Sequence, residues 1–177
     1  HKGQRVGVLL PSVNGVAVTV FGLWFHGLTP VLLNFTAGSR NLVSACETAQ
    51  VERVITSRRF IDTAKLDDVV AALGRVCEIV YLEDVRKTIG TLDKIGGLIR
   101  SKFARAIARR ACDNPDAPAI VLFTSGSEGA PKGVVLSHAN VVGNANQIWQ
   151  HAEGMLTSDD IACNPLPVFH SFGLTAG

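Results

Sequence analysis

The chain has 177 residues, enough for one domain with a hydrophobic core and for at most two domains. Its residues are 47% hydrophobic and 18% charged, which is typical of a packed globular protein rather than a disordered one. The net charge of +2 gives no signal for a nucleic-acid partner, and we expect none.

The four cysteines, Cys46, Cys77, Cys112 and Cys163, are tens of residues apart. Because no two of them have the spacing of a zinc site or a redox motif, we predict no metal site of protein ligands. A free cysteine is among the residues most often buried. We therefore expect these four to be reduced thiols, mostly in the core.

Strands and helices alternate along the first half of the chain. Apolar runs rich in β-branched residues predict strands at Arg5–Leu10, Val31–Leu33, Arg53–Thr56 and Glu78–Leu82. Helices are predicted between them at Val16–His26, Leu42–Thr48 and Asp62–Leu73, with Ser12 or Asn14, Ser39, Gly27 and Gly74 as end signals. This order predicts a doubly wound α/β fold, with a mostly parallel sheet and flanking helices.

The segment Lys94–Arg110 carries six basic residues and no acidic residue. Its apolar residues recur at helical spacing, so it is predicted to be a basic amphipathic helix. Such a helix suits an anionic membrane surface or an acidic protein. A solvated face of an irregular connector explains the same pattern, and both interpretations stay open at this point.

A turn-rich linker, Asp113–Pro118, precedes the strand Ala119–Phe123, which runs directly into the loop Thr124–Gly133. Extended structure resumes at Val134–Leu136. Ser137 is then positioned to cap a helix from about Ala139 to His151.

The loop Thr124–Gly133 has the residue types that a polyphosphate requires. Its glycines, Gly126, Gly129 and Gly133, allow a positive φ and let the backbone approach a ligand closely. Backbone N–H groups can then point at anionic oxygens. Hydroxyl donors and one positive charge are supplied by Thr124, Ser125, Ser127 and Lys132. These residues therefore predict a phosphate-binding loop.

Other phosphate-binding motifs fit this sequence less well. A Walker A loop needs Gly-Lys-Ser/Thr, whereas Lys132 lies between Pro131 and Gly133. The first strand runs into Pro11-Ser12-Val13 rather than into Gly-x-Gly-x-x-Gly. A flexible surface turn is the other interpretation of a loop rich in Gly, Ser and Thr. It is disfavoured because this loop joins two apolar strands and places its lysine between a proline and a glycine.

The string TSGSEGAPKG resembles the signature loop of the AMP-forming acyl-activating (adenylate-forming) enzymes. Leu166-Pro167-Val168-Phe169-His170, followed by Gly173, is similar to a second element of that family. The opening RVGVLLPSVNG is similar to its first βαβ unit. Within the family, four segments (FTSGSEGAPKGVVLSH, LPVFHSFGLTAG, VITSRRF and VYLEDV) resemble the acyl-acyl-carrier-protein synthetase part of bifunctional 2-acylglycerophosphoethanolamine acyltransferases.

The resemblance implies a two-step ligase reaction that uses ATP and Mg²⁺. A fatty acid attacks the α-phosphate of ATP to give acyl-AMP and pyrophosphate, and a phosphopantetheine thiol of acyl carrier protein, or CoA, then takes the acyl group. It also implies a role in phospholipid reacylation, in the cytoplasm at the periphery of the bacterial inner membrane. Lys94–Arg110 would face that membrane or the carrier protein.

The resemblance also assigns roles to individual residues. It places Thr124, Ser125, Gly126, Ser127, Gly129 and Lys132 at the β- and γ-phosphates, with Lys132 as a catalytic cation. Glu128 stands where much of the family has threonine, so its role stays open: a carboxylate there would repel phosphate unless it faced Mg²⁺ or solvent. His170 is placed beside the acyl pocket as the second catalytic residue, or else packs to stabilise a turn. His138, at a helix start, is expected to be structural.

Under this resemblance, residues 1–177 are part of a large N-terminal AMP-binding domain, truncated at both ends. The adenine-binding segment, the acidic Mg²⁺ ligand, the ribose-binding aspartate and the small C-terminal domain with its catalytic lysine have no counterpart in the sequence. We therefore expect the fragment alone to be inactive and its parent to be active. An acyl- or aryl-CoA ligase and a non-catalytic nucleotide-binding module are the alternatives.

Overall fold

A computed structural model describes residues 3–111, 113–125, 131–153 and 166–175. Within them the sheet has six strands in the order β4-β3-β1-β2-β5-β6. The strands are Arg5–Val8 (β1), Thr29–Leu32 (β2), Arg53–Thr56 (β3), Glu78–Tyr81 (β4), Pro118–Ser125 (β5) and Pro131–Ser137 (β6). Strands β1 to β5 pair in parallel, and β6 returns antiparallel to β5. The predicted mostly parallel α/β fold is confirmed.

The helices lie between and after these strands. Their bounds are Asn14–Phe25 (α1), Ser39–Thr48 (α2), Arg58–Ala64 (α3), Asp67–Leu73 (α4), Leu82–Thr88 (α5), Thr91–Ser101 (α6), Ala104–Ala111 (α7), His138–Ala152 (α8) and Ser171–Thr175 (α9). Among the described residues, none of these helices has the length and apolar character that crossing a bilayer requires.

The core is divided into two layers by the sheet. On one face, Val16, Val20 and Leu23 of α1 cover β1, β2 and β5. On the other face, buried residues of α2, α3 and α4 cover the same sheet. Helices on both faces explain why consecutive residues of the central strands β1 and β2 are buried, instead of every second residue.

Two predicted helices are each broken into two. Instead of one helix over Asp62–Leu73, α3 ends at Ala64, the following Lys65 has a φ of 53° in the left-handed region, and α4 starts at Asp67. The basic segment Lys94–Arg110 likewise spans α6 and α7, which are separated at Lys102–Phe103. Helix α5 was not predicted, because its seven residues (LEDVRKT) are too few for a clear apolar period.

The predicted helix ends are correct in part. Ser137 caps α8 through its hydroxyl, which accepts from the Asn140 backbone N–H at 3.2 Å, as predicted. Gly27, with φ of 67°, follows the end of α1, and Gly74 ends α4. The N-terminal end signals of α1 and α2 were wrong, because Val13 and Gly38 hold those N-cap positions without a side-chain hydrogen bond.

The cysteine prediction is confirmed for the two cysteines that the structure describes. Cys46 and Cys77 are free and buried, and the Cys77 thiol donates to the Val51 carbonyl at 3.1 Å. Burial raises the pKa of the Cys46 thiol, and the nearby Cys77 raises it further. Cys112 and Cys163 lie outside the described residues.

The central strand β1 is closely packed at Gly7. A Cβ at this position would lie 2.9 Å from Val54 Cγ2 and 3.2 Å from Val51 Cγ1. We therefore expect Gly7→Ala to lower the free energy of unfolding by about 1–3 kcal/mol, as overpacking of a core does. Urea unfolding followed by circular dichroism measures this change.

Gly22 provides the matched control. It lies inside α1 with nothing within 4 Å of a Cβ, so Gly22→Ala should raise stability by about 0.5–1 kcal/mol through helix propensity. Equal stability changes of the same sign in both variants would contradict the packing described at Gly7.

Trp24 and His138 connect α1 to the start of α8. The Trp24 indole N–H donates to the Ala119 carbonyl at 2.6 Å, and its ring meets the His138 imidazole edge-on at 5.7 Å. Burial lowers the pKa of His138 below its usual value of 6.5. This contact supports the prediction that His138 is structural.

Because the pKa of His138 is lowered in the folded protein, its contribution to stability is present above its unfolded pKa and is lost as pH falls through the folded pKa. We expect the free energy of unfolding to decrease between about pH 7 and about pH 5, and His138→Gln to reduce that decrease. Urea titrations across this range measure it. His151→Gln, at the exposed far end of α8, should keep the wild-type profile; a His138→Gln profile identical to wild type would contradict the assignment.

Candidate active site at the carboxyl edge of the sheet

The site is built at the end of β5. Residues Ala119 to Leu122 are buried, Phe123 is half-buried and Thr124 is exposed. The strand therefore runs from the core to the carboxyl edge of the parallel sheet, where ligands of open α/β sheets bind. The predicted loop is shorter than expected, since Thr124 and Ser125 still belong to β5 and Pro131 already begins β6.

Thr124 and Lys132 face each other across the β5–β6 hairpin. They are direct partners in the antiparallel register, as are Ser125 and Pro131. Directly opposed residues of an antiparallel pair project to the same face, with Cβ atoms about 4.5–5.5 Å apart. Since Thr124 and Lys132 are both exposed, a hydroxyl and an ammonium group project together beside the loop, as phosphate binding requires.

Gly133 has a different role from the one predicted. It lies in β6 opposite Phe123 without a positive φ, so the expected left-handed conformation is wrong at this position. A Cβ here would lie 3.3 Å from Phe123 Cε1. Gly133 therefore leaves room for the Phe123 ring.

The remaining predicted loop residues, Gly126, Ser127, Glu128 and Gly129, lie outside the described residues. Their roles at the phosphates stay predictions. In the parts of the chain that the structure describes, no group of three or more His, Cys, Asp or Glu side chains could hold a metal ion.

The segment carrying His170 is attached to the same edge of the sheet. The Val168 backbone N–H donates to the hydroxyl of Ser12, which follows β1, at 3.2 Å. The buried Phe169 ring meets Phe35, which follows β2, edge-on at 5.4 Å. These contacts with residues that follow two neighbouring parallel strands place the segment at their carboxyl ends.

The backbone of His170 stabilises the turn, while its side chain is exposed. Its N–H donates to the Pro167 carbonyl at 3.0 Å, and its carbonyl accepts from the Leu174 N–H at 2.9 Å. The imidazole rests against the Phe169 ring at 5.1 Å and is otherwise accessible. The turn is therefore held by main-chain groups, which leaves the imidazole available to a ligand.

An apolar cavity of about 390 Å³ adjoins this segment. It lies between α1 and the residues around α9, with Phe21 and Trp24 on one side and Val168 and Leu174 on the other. Helix α9 is also joined to α8, because the Thr175 hydroxyl donates to Asn144 Oδ1 at 2.6 Å. An apolar space beside the segment that carries His170 can accept an apolar ligand group.

Sequence reasoning did not identify Ser12 and Phe35 as parts of this site. Ser12 was predicted only as a cap, and Phe35 received no role. Their position directly after the first two strands was an available signal, because residues after neighbouring parallel strands share one edge.

Comparison with known proteins agrees with this geometry. The AMP-binding enzyme family matches residues 1–177. An acyl-CoA ligase, sidI, of Beauveria bassiana is 29% identical over 181 residues, covering 99% of this chain and 31% of the relative. A long-chain-fatty-acid–CoA ligase of Bacillus subtilis is 26% identical over 197 residues, covering 99% of this chain and 35% of the relative.

Solved structures show the same fold. VinN in complex with 3-methylaspartate superimposes with a TM-score of 0.70 at 21% identity, covering 99% of this chain and 44% of VinN. The o-succinylbenzoate CoA synthetase of Bacillus subtilis, bound to the acyl-adenylate OSB-AMP, gives a TM-score of 0.63 at 21% identity, covering 99% and 40% of the two chains.

The chain spans about a third of the length of these curated relatives. The family match extends over all 177 of its residues. The chain belongs to the AMP-binding enzyme family, whose relatives include acyl-CoA ligases.

Proposed function

We propose that the chain is the phosphate-binding part of an ATP-dependent ligase that activates a fatty acid as acyl-AMP. The observation that carries the proposal is the exposed Thr124–Lys132 pair at the carboxyl edge of β5. A lysine there can neutralise charge on the departing pyrophosphate, and hydroxyl and backbone donors beside it can hold phosphate oxygens. Bound Mg²⁺ would supply further neutralisation of the polyphosphate charge.

The acceptor proposed for the second step is the phosphopantetheine thiol of acyl carrier protein. The support is the resemblance of the loop, the His170 segment and two other segments to acyl-acyl-carrier-protein synthetases. The corresponding biological role is phospholipid reacylation. This proposal places the parent protein in the cytoplasm, where ATP and carrier protein are available.

CoA is the second candidate acceptor. It is favoured by the relatives, which include an acyl-CoA ligase and a long-chain-fatty-acid–CoA ligase. The first step is the same in both cases. Incubating the parent protein with a fatty acid, ATP and either thiol distinguishes the two acceptors. Only the thiol that takes the acyl group from acyl-AMP should allow the enzyme to release AMP over multiple turnovers.

Lys132→Ala in the parent protein tests the loop. We expect fatty-acid-dependent exchange of pyrophosphate into ATP to fall by about 100- to 1,000-fold, as removal of one charge-stabilising donor does in other enzymes. Isotope exchange with a panel of fatty acids measures it.

Lys87→Ala is the matched control, because Lys87 is an exposed lysine in α5 whose partner is Asp84. It should leave the exchange rate unchanged. Wild-type exchange in a folded Lys132→Ala protein would contradict the role of the loop, and no exchange with any acid in wild type would leave a nucleotide-binding module.

His170→Ala separates the two interpretations of that residue. Since the turn is held by main-chain hydrogen bonds, we expect a change in unfolding free energy within about 0.5 kcal/mol, as for other surface substitutions. The KM for the fatty acid should rise if the imidazole meets the substrate. Steady-state kinetics and thermal unfolding measure these effects, with His151→Ala as control. A marked loss of stability with unchanged KM would assign His170 to the turn.

A further inference from the structure

Helices α6 and α7 form a surface that the proposed reaction does not use. Both are amphipathic, and neither contains a buried residue. Helix α7 packs beside α1, and its Ile107 and Ala111 line one pocket with Phe25 and His26 at the end of α1. Gly97 and Ser101 of α6 line a groove together with Gly22 of α1. The two helices thus lie on α1 and present their other sides outward.

The outward side of α6 is apolar. At 3.6 residues per turn, four large apolar residues fall within about 120° of its circumference, opposite the side that lines the groove with α1. They are Leu92, Ile95, Leu98 and Ile99. Leu98 is 69% exposed, and Phe103, at the junction with α7, is 62% exposed. Side chains of this size rarely stay in water as a contiguous group unless the surface binds something apolar.

The outward side of α7 and the helix junction are cationic. From Lys94 to Arg110 there are six basic residues and no acidic one. Arg105 and Arg109 are exposed on the side of α7 away from Ile107. Asp93, the carboxylate nearest in sequence, accepts from the Gly90 backbone N–H at 2.8 Å as part of a helix cap.

We propose that this α6–α7 surface docks the protein onto an anionic lipid bilayer. Exposed leucine, isoleucine and phenylalanine side chains would enter the boundary between headgroups and acyl chains, and the arginines would meet lipid phosphates. An acidic protein partner would complement the arginines, but five exposed large apolar residues beside them favour a lipid surface. The inference stands on these two helices and does not depend on the reaction proposed above.

The test uses the full-length protein and vesicles of phosphatidylcholine with or without phosphatidylglycerol. We expect binding to the phosphatidylglycerol vesicles that weakens with added salt, because salt screens exposed charges. Arg105→Gln together with Arg109→Gln should weaken that binding about 25-fold, since each basic residue near an anionic surface is worth a factor of about five. Leu98→Ser together with Phe103→Ser should weaken it without changing the salt dependence.

The charge-matched control is Arg59→Gln together with Arg75→Gln, two exposed arginines outside these helices, which should bind as wild type does. All of the altered side chains are exposed, and circular dichroism checks folding. Equal binding by the α6–α7 variants and wild type, or no binding to anionic vesicles, would overturn the proposal. So would lipid-free binding of an acidic carrier protein that depends on Arg105 and Arg109 while vesicle binding does not.

Discussion

The pairing of β5 with β2 is the interaction on which the site depends. Val31 and Val121 are 90 positions apart in the sequence, yet the two are register partners in the parallel ladder. Both are almost completely buried. Two further contacts fix β5 there: the Trp24 indole donates to the Ala119 carbonyl, and the Thr29 hydroxyl donates to the Pro118 carbonyl. Because β5 runs parallel to β2, its polar end reaches the edge where the first two strands also end.

That edge collects residues from distant parts of the chain. Ser12 follows β1, Phe35 follows β2, and both hold the segment that presents His170. The β5–β6 hairpin brings Thr124 and Lys132 to the same edge. The hydroxyl and ammonium groups of the hairpin and the segment that carries His170, which adjoins the apolar cavity, therefore lie along one edge of the sheet. Docking on an anionic bilayer would further bring the protein to a phase into which fatty acids partition.

The sequence was sufficient to predict the parallel α/β sheet, because four short apolar runs alternate with helical segments. The bounds of β3, Arg53–Thr56, were predicted without error. The break at Lys65 could not be predicted, since a lysine in the left-handed region has no distinctive sequence signal. The order of the strands was also not predicted, because the return of β5 to β2 depends on packing between residues far apart in sequence.

The candidate site was predictable in its residue types and less so in its arrangement. Lys132 and Thr124 stood out because a Gly-rich string with a lysine joins two apolar strands. Their direct opposition across an antiparallel hairpin depends on register, which periodicity alone does not fix. Gly133 was assigned the wrong role because the position of the Phe123 ring against it is a tertiary contact.

In the proposed reaction, the parent protein joins the acid to the α-phosphate of ATP. The most direct test supplies a fatty acid labelled with oxygen-18 in its carboxylate and follows the label by mass spectrometry after a complete reaction with ATP and thiol. An acyl-adenylate requires one labelled oxygen to be transferred to AMP, because the thiol attacks the acyl carbon and the bridging oxygen leaves with the phosphate. Label in inorganic phosphate, with ADP as the nucleotide product, would exclude an acyl-adenylate intermediate.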